Sequence, residues 1–392
     1  QRLCFLQTSR FNFLAMGNNT SITEHIRHYY RELLCIGVPI IIGQLGTIIL
    51  GFADTLMIGH HSTEELAAAG LVNNIITFIL VSYMGFSYGL TPIIGKLYGM
   101  EKTDKIGQKV KNSFFANMVV GVIFSLALII LYFNLHRIGQ PEELLALIRP
   151  YFIVNLISVL FVGVFNTLKQ FLDGIGNTKV AMWVMIMGNI VNIFGNWVLI
   201  YGVGPCPKMG LLGAGISTLA SRVLMAVAMV GIIAGTKEYR EYRNNIIASR
   251  INGADFREMN RLGWPVALQL ALESGAFTLS CVMVGWLGTI PLAAHQVMIT
   301  ISQLFYLVLS GMAAALAIRV SHFVGQNDFA AVRRNAYDGW RLNLLFSLCM
   351  GIPVLLLRHQ IGGWFNDNVE VQQYVALLII MMMLYQFGDV LQ

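Results

Sequence analysis

Met57-Ile-Gly-His-His-Ser-Thr-Glu-Glu-Leu-Ala-Ala68 returns 226 positions later as Met283-Val-Gly-Trp-Leu-Gly-Thr-Ile-Pro-Leu-Ala-Ala294, identical at six of twelve positions. Without a gap, the same offset pairs Gly37 with Gly263, Pro39 with Pro265, Gly85 with Gly311, Leu90 with Leu316, Gly99 with Gly325 and Asn117 with Asn343. Identity elsewhere is low, so the constant spacing carries the signal. The chain is a duplicated unit, and the unit is long, apolar and helical.

Composition sets the solvent of that unit. Of 392 residues, 56% are hydrophobic and only 12% charged, whereas soluble domains carry roughly 25% charged residues. Mean hydropathy is +0.66. Ten apolar runs reach the length of about 20 residues that a bilayer demands: 34–58, 66–92, 112–133, 145–168, 180–202, 211–234, 262–286, 291–318, 340–357 and 371–392. Barrel strands are short and alternating, so the fold class is an all-α membrane protein. The five cysteines are scattered without CxxC spacing and read as small apolar residues.

The net charge of +6 is explained by where the bases sit. Successive loops alternate, with 21 of the 26 Lys and Arg on one side, four on the other and Arg222 inside a span. The positive-inside rule puts the N-terminus and the central loop in the cytoplasm. The chain divides into an N-terminal segment (1–30), a six-helix first lobe (31–235), an inter-lobe loop (236–260) and a second lobe (261–392). Six helices precede that loop, so the halves are parallel repeats related by an axis along the membrane normal. The spacing predicts a second half running to about 461, twelve helices with ten in this chain. Met16 is the expected start, and 1–15, broken by Arg10, do not read as a cleaved signal. Asn18-Asn-Thr20 matches a glycosylation sequon but falls on the cytoplasmic side.

A charge in the hydrocarbon costs several kcal/mol, so an acid there is a functional candidate. Three occur: Asp54, Glu273 and Asp389. Glu273 lies about eleven residues into its run, roughly 16 Å deep at 1.5 Å per residue. Asp54 and Asp389 lie nearer the far ends of theirs. Pro39 and Pro265 each remove a ladder hydrogen bond early in helices one and seven, where bending could reposition Asp54 and Glu273. A buried carboxyl can carry a proton; two carboxylates with neighbouring carbonyl oxygens can hold a hard cation such as Na⁺. Asn189, Asn192 and Asn196 share one face of helix five, as interhelical fasteners or as a polar wall beside Asp54. Arg222 reads as a structural partner or helix-end group. Met381–Met383, near Tyr385 and Phe387, could line an adaptable pocket for flat cations. No P-loop, HExxH or GxSxG is present, so neither direct ATP drive nor a membrane enzyme has residues to stand on.

These residues together resemble the multidrug and toxic compound extrusion (MATE) family, in its NorM-like branch. Gly51-Phe-Ala-Asp-Thr-Leu-Met-Ile-Gly59 with Leu66-Ala-Ala-Ala69 is similar to that family's first-helix signature. Trp264-Pro-Val-Ala-Leu268 leading to Glu273 is similar to its seventh helix. Leu172-Asp-Gly-Ile-Gly-Asn-Thr-Lys179 and Tyr385-Gln-Phe-Gly-Asp389 resemble its fourth loop and tenth helix. The resemblance implies cation-coupled efflux by alternating access of two lobes. It implies that Glu273, Asp389 and Tyr385 surround the C-lobe cation, and that Asp54, Asn192 and Asn196 form the N-lobe polar site. With both sets present it favours Na⁺ without excluding H⁺.

The expectation is therefore an antiporter of the bacterial inner membrane. It would export organic cations, work as a monomer among lipids, need no cofactor and bind no nucleic acid. A lipid-linked oligosaccharide flippase of similar architecture, expected to carry a cationic cavity, is the rival within transport; a channel and a membrane enzyme are rivals outside it. The repeat fails where the chemistry sits: the 226-residue offset aligns Asp54 with Ser280, Glu273 with Thr47 and Asp389 with Gly163.

Overall fold

A computed structural model describes residues 22–138, 142–204, 207–365 and 368–391. The expected start at Met16 and the Asn18 sequon lie outside them. Ten helices are long and apolar enough to span a membrane: α1 (Ile22–His61), α2 (Thr63–Gly99), α3 (Thr103–Phe133), α4 (Leu144–Gly174), α5 (Thr178–Tyr201), α6 (Leu211–Gly235), α7 (Gly253–Gly285), α8 (Thr289–Gly325), α9 (Phe329–Leu356) and α10 (Val369–Leu391). Each contains one of the ten apolar runs almost entirely. No strand occurs among the described residues. Several helices outreach the apolar run at the base-rich end, because polar residues there still complete hydrogen-bonded turns.

Local chemistry sets the ends. Ser62 Oγ accepts from the Glu65 amide at 3.4 Å and starts α2, and Asp328 Oδ1 accepts from the Ala331 amide at 2.9 Å and starts α9. Both are ordinary side-chain N-caps for otherwise unpaired amides. Gly202, at φ 71°, closes α5 in the left-handed region that side chains avoid. Pro39 and Pro265 sit inside helices that stay continuous through them.

The stretch between the halves is more ordered than its polar sequence suggests. It holds a 3₁₀ turn (Lys237–Tyr239), a helix (Arg240–Ala248) and the first turns of α7. Asn252 caps α7, and Asp255 in its first turn is buried. Lys109 Nζ (2.7 Å), Gln108 (2.6 Å) and Asn112 (3.1 Å), all on α3, donate to that carboxylate. Asn177 donates to the Tyr239 hydroxyl at 2.6 Å; burial, with the Glu238 charge, pushes that phenol up to about 12.

The duplication is visible in the contacts between lobes. Gly37 of α1 abuts Met312 and Ala315 of α8, and their partners at the 226-residue offset repeat the contact: Gly263 of α7 abuts Phe86, and Gly89 abuts Gly263. Gly85 packs on Ala267, and Gly311 on Ile41. Each contact thus occurs twice with the halves exchanged, the rule for a two-fold interface. Gly95 meets Ser321 and Gly99 meets Gly325. These pairs are their own partners under the offset, so the pseudo-two-fold axis passes between them. The turns beyond match as well: Glu101 and Asn327 share φ of 56° and 59°, and the amides of 100, 101 and 102 bond the carbonyls of 96, 98 and 97 as 326, 327 and 328 bond 322, 324 and 323. Sequence identity is gone there, yet the backbone repeats.

Three apolar clusters fill the molecule. One, with Tyr83, Phe86, Phe152 and Phe171, fills the first lobe. A second, with Phe305, Val375 and Ile379, fills the second. A third, Leu33, Ile36 and Ile40 against Met312, Ala315 and Ile318, seals α1 to α8 near the base-rich ends. Polar ties join it there: Arg319 to Glu32 at 2.9 Å and His322 Nε2 to the Gly174 carbonyl at 2.7 Å. The lobes are closed against each other on the base-rich side.

Candidate functional sites

Each lobe holds one acidic site. In the first, Asp54 of α1 faces α5. Asn196 Nδ2 donates to Asp54 Oδ1 at 2.5 Å and lies 3.0 Å from Asn192 Oδ1. Asn192 Nδ2 in turn donates to Thr218 Oγ1 at 3.1 Å, on α6. Turning the Asn192 amide over places its nitrogen 3.0 Å from Asp54 Oδ1, with Thr218 Oγ1 donating to its oxygen. The carboxylate therefore has two amide donors within reach, and Asn192 and Asn196 are fully buried. Their spacing of four stacks them one turn apart on a single face, which is how α5 presents both to α1.

The cluster extends further than the sequence suggested. Tyr151 of α4, which interacts electrostatically with Asp54, donates to Asn73 Oδ1 of α2 at 2.9 Å. Arg222 of α6 donates to Ser158 Oγ of α4 at 2.5 Å and interacts electrostatically with both Asp54 and Tyr151. Asn73, Tyr151, Ser158 and Thr218 gave no signal in the sequence: each is a single polar residue whose direction depends on how its helix is rotated. Asn189 is on the same face of α5 but outside this group; its Nδ2 lies where a side chain on Gly46 would begin, 2.7 Å from that Cβ position. About two turns of α1 separate Gly46 from Asp54.

In the second lobe, Glu273, Tyr385 and Asp389 line one cavity of about 560 Å³ between α7, α8 and α10. Glu273 and Asp389 both line it, and Tyr385 lies one turn before Asp389 on α10. Asp389 Oδ2 is buried with no hydrogen-bond partner among the described residues, as is His295 Nδ1. Phe277 stands edge-on to Tyr385 at 6.1 Å, and Met298, Met381 and Met382 add apolar wall. Met383, read with its two neighbours as pocket lining, turns to Gly351 instead. Ser280, aligned with Asp54 by the repeat, is on the lining too. No three His, Cys, Asp or Glu side chains converge as a metal cage among the described residues. A cation here would rest on the two carboxylates and neutral oxygens. That donor set suits a hard ion such as Na⁺.

A family model, MatE, matches residues 39–198 and 265–392. Solved structures share the fold. A eukaryotic MATE transporter, AtDTX14, superposes with TM-score 0.81 at 18% identity over 93% of this chain and 81% of that one. A MATE in complex with MaD3S gives 0.82 at 19%, over 92% and 81%. A MOP superfamily transporter from Pyrococcus furiosus, described as having a binding pocket of reverse polarity that suggests a different function, gives 0.78 at 19%, over 95% and 84%.

Proposed function

The chain belongs to the MatE family of membrane transporters, and from that premise we propose that it exports organic cations in exchange for entering Na⁺ or H⁺, by alternating access of its two lobes. The observation that carries this reading is the second-lobe cavity. It combines two carboxyls with aromatic and methionine walls, and its lining includes no Lys or Arg among the described residues. Its volume falls in the range of about 300–1,000 Å³ usual for small-molecule sites. Flat cations bind such surfaces through ring faces and polarizable sulfur. A lipid-linked oligosaccharide carries an anionic diphosphate linkage, which these acids would repel.

Coupling follows from competition for the carboxyls. A cation drawn inward by a 100 mV potential releases about 2.3 kcal/mol, enough for roughly a fifty-fold gradient of a neutral solute, whereas one-for-one exchange with an organic cation moves no net charge and draws only on the ion's own concentration gradient. Lobes that seal on the base-rich side while an acidic cavity persists elsewhere are half of an alternating-access cycle. By the positive-inside rule the sealed side is cytoplasmic. The membrane fitting this reading is the bacterial inner membrane.

The test is ethidium efflux from proteoliposomes under Na⁺ and H⁺ gradients imposed one at a time. One of them should drive efflux, and Glu273→Ala and Asp389→Ala should each abolish that drive. Efflux that proceeds unchanged in both variants would overturn the assignment.

A further inference from the structure

The repeat fails at one further position on the second-lobe cavity. Leu292-Ala-Ala294 copies Leu66-Ala-Ala68, and the next residue is His295 where the first lobe has Ala69. Ala69 is 2% exposed, so the scaffold itself needs only a methyl there. The imidazole is an addition of the second lobe, and it lines the cavity that holds Glu273 and Asp389. His295 is 8% exposed, and its Nδ1 is sealed without a hydrogen-bond partner among the described residues. A histidine kept only for packing normally has that nitrogen paired. Its Nε2 is not sealed in this way. An orphaned buried N–H is rarer than an orphaned acceptor, which puts the proton on Nε2 and gives the cavity an N–H donor.

That donor and the acids belong to opposite ends of the cavity. α7 starts at the base-rich side, while α8 and α10 end there. Ser280 follows Glu273 by seven residues on α7, and Ser302 follows His295 by seven on α8; that interval rises about 10 Å. His295 and Ser280 therefore mark the far end, and Glu273 and Ser302 the end toward the base-rich side. Asp389, third from the end of α10, belongs with Glu273. Phe277, Met298 and Met381 supply apolar wall between. We propose that this cavity selects elongated organic cations carrying a hydrogen-bond acceptor about 10 Å from the charge, with the charge on Glu273 and Asp389 and the acceptor on His295 Nε2. The proposal rests on the antiporter reading for the site and adds the substrate class. A cation without the acceptor covers the imidazole N–H and leaves it unpaired, which is how one placed polar group discriminates between ligands of equal size.

The experiment compares two cations of one length. 4-(4-Acetylstyryl)-N-methylpyridinium has a carbonyl oxygen at the end remote from its charge; 4-(4-isopropenylstyryl)-N-methylpyridinium has a methylene group in its place. Dissociation constants for both are measured by titration calorimetry on the purified full chain in nanodiscs. The wild type should hold the acetyl compound about three- to tenfold more tightly, the worth of one hydrogen bond. His295→Phe should abolish that preference, and His295→Gln, which restores an N–H donor, should return it. Glu273→Gln should weaken both compounds alike and keep their ratio. Each ratio is taken within one preparation, so a variant that folds in low yield still gives it. Equal constants in the wild type, no binding of either compound, or a preference that His295→Phe retains overturns the proposal. Binding with the expected preference but without gradient-driven efflux of either compound from proteoliposomes overturns the antiporter reading and leaves the two-ended site standing.

Discussion

Gly325→Ala tests the axis directly. A Cβ built on Gly325 would stand 2.9 Å from the Gly99 Cα and 3.0 Å from its carbonyl carbon, closer still to the Lys96 carbonyl oxygen, where ordinary contact begins at 3.4 Å. Every atom it meets is backbone, so no side-chain rotation relieves it. Relieving the tightest contact, against the Lys96 carbonyl, requires α2 and α8 to separate by about 1 Å, which a close-packed seam does not absorb freely. Overpacking of this kind costs typically about 1–3 kcal/mol, and a bias of that size changes the ratio of two states about 5- to 150-fold. Since the contact exists where the lobes seal the base-rich side, the bias should oppose that closure alone. Spin labels at Glu101→Cys and Asn327→Cys, with the native cysteines replaced, report it. These positions are exposed and related by the pseudo-axis. Electron–electron resonance should show a new long-distance population in Gly325→Ala and none in Gly275→Ala, where the added methyl meets nothing within 4 Å. An unaltered distance distribution in Gly325→Ala, with normal efflux, would show that the axis is not where the lobes part.

Two further perturbations read other parts of the structure. Lys109→Met leaves the Asp255 carboxylate, whose side chain is only 8% exposed, without its ammonium; breaking a buried pair from one side costs about 3–5 kcal/mol, so the melting temperature should fall sharply. Adding Asp255→Asn should restore most of it. Asp54→Asn keeps an oxygen in place to accept from Asn196, so the fold should survive with little loss of melting temperature. Gradient-driven ethidium efflux should fall, because an intramembrane carboxyl is costly and is kept for function.

How much of this was legible beforehand follows from what a bilayer reveals in a sequence. The ten spans were, because length and apolarity alone mark them. The parallel relation was, because six spans precede the base-rich middle and the 226-residue offset runs without a gap from Gly37 to Asn117. The offset paired Gly99 with Gly325 as equivalents, but that the two touch at the axis follows only from the way the helices pack. The rotation of each helix was not legible. In water, an apolar stripe tells which face is inward, but lipid is as apolar as the protein interior, so that cue is lost. Tyr151, Asn73 and Thr218 therefore stayed invisible as neighbours of Asp54, and Asn189 looked like a member of the cluster when it packs on Gly46. Asn192 and Asn196 were legible because a pair of amides four apart fixes its own face. The helix Arg240–Ala248 was missed for a different reason: it is short and polar, and its neighbour Asp255 is satisfied by α3, far away in sequence.

The places where the repeat fails show why the two lobes are unlike. Asp389 aligns with Gly163, and a Cβ on Gly163 would run into the Tyr83 hydroxyl, which is fully buried and donates to the Asn117 carbonyl at 2.8 Å. The first lobe thus fills with a phenol the volume into which the second lobe points a carboxyl. At the offset from Tyr83 stands Leu309, which has no hydroxyl to place there. Conversely, Ser280 stands at the second-lobe position equivalent to Asp54 and leaves room on the cavity lining. One duplicated scaffold therefore carries two arrangements: a first lobe in which Tyr83 fills that volume and Asp54 is held by Asn196, and a second lobe whose cavity carries Glu273 and Asp389. Glycines shared by both halves let the lobes approach along one axis, and the residues that differ decide which lobe keeps a cavity between its helices.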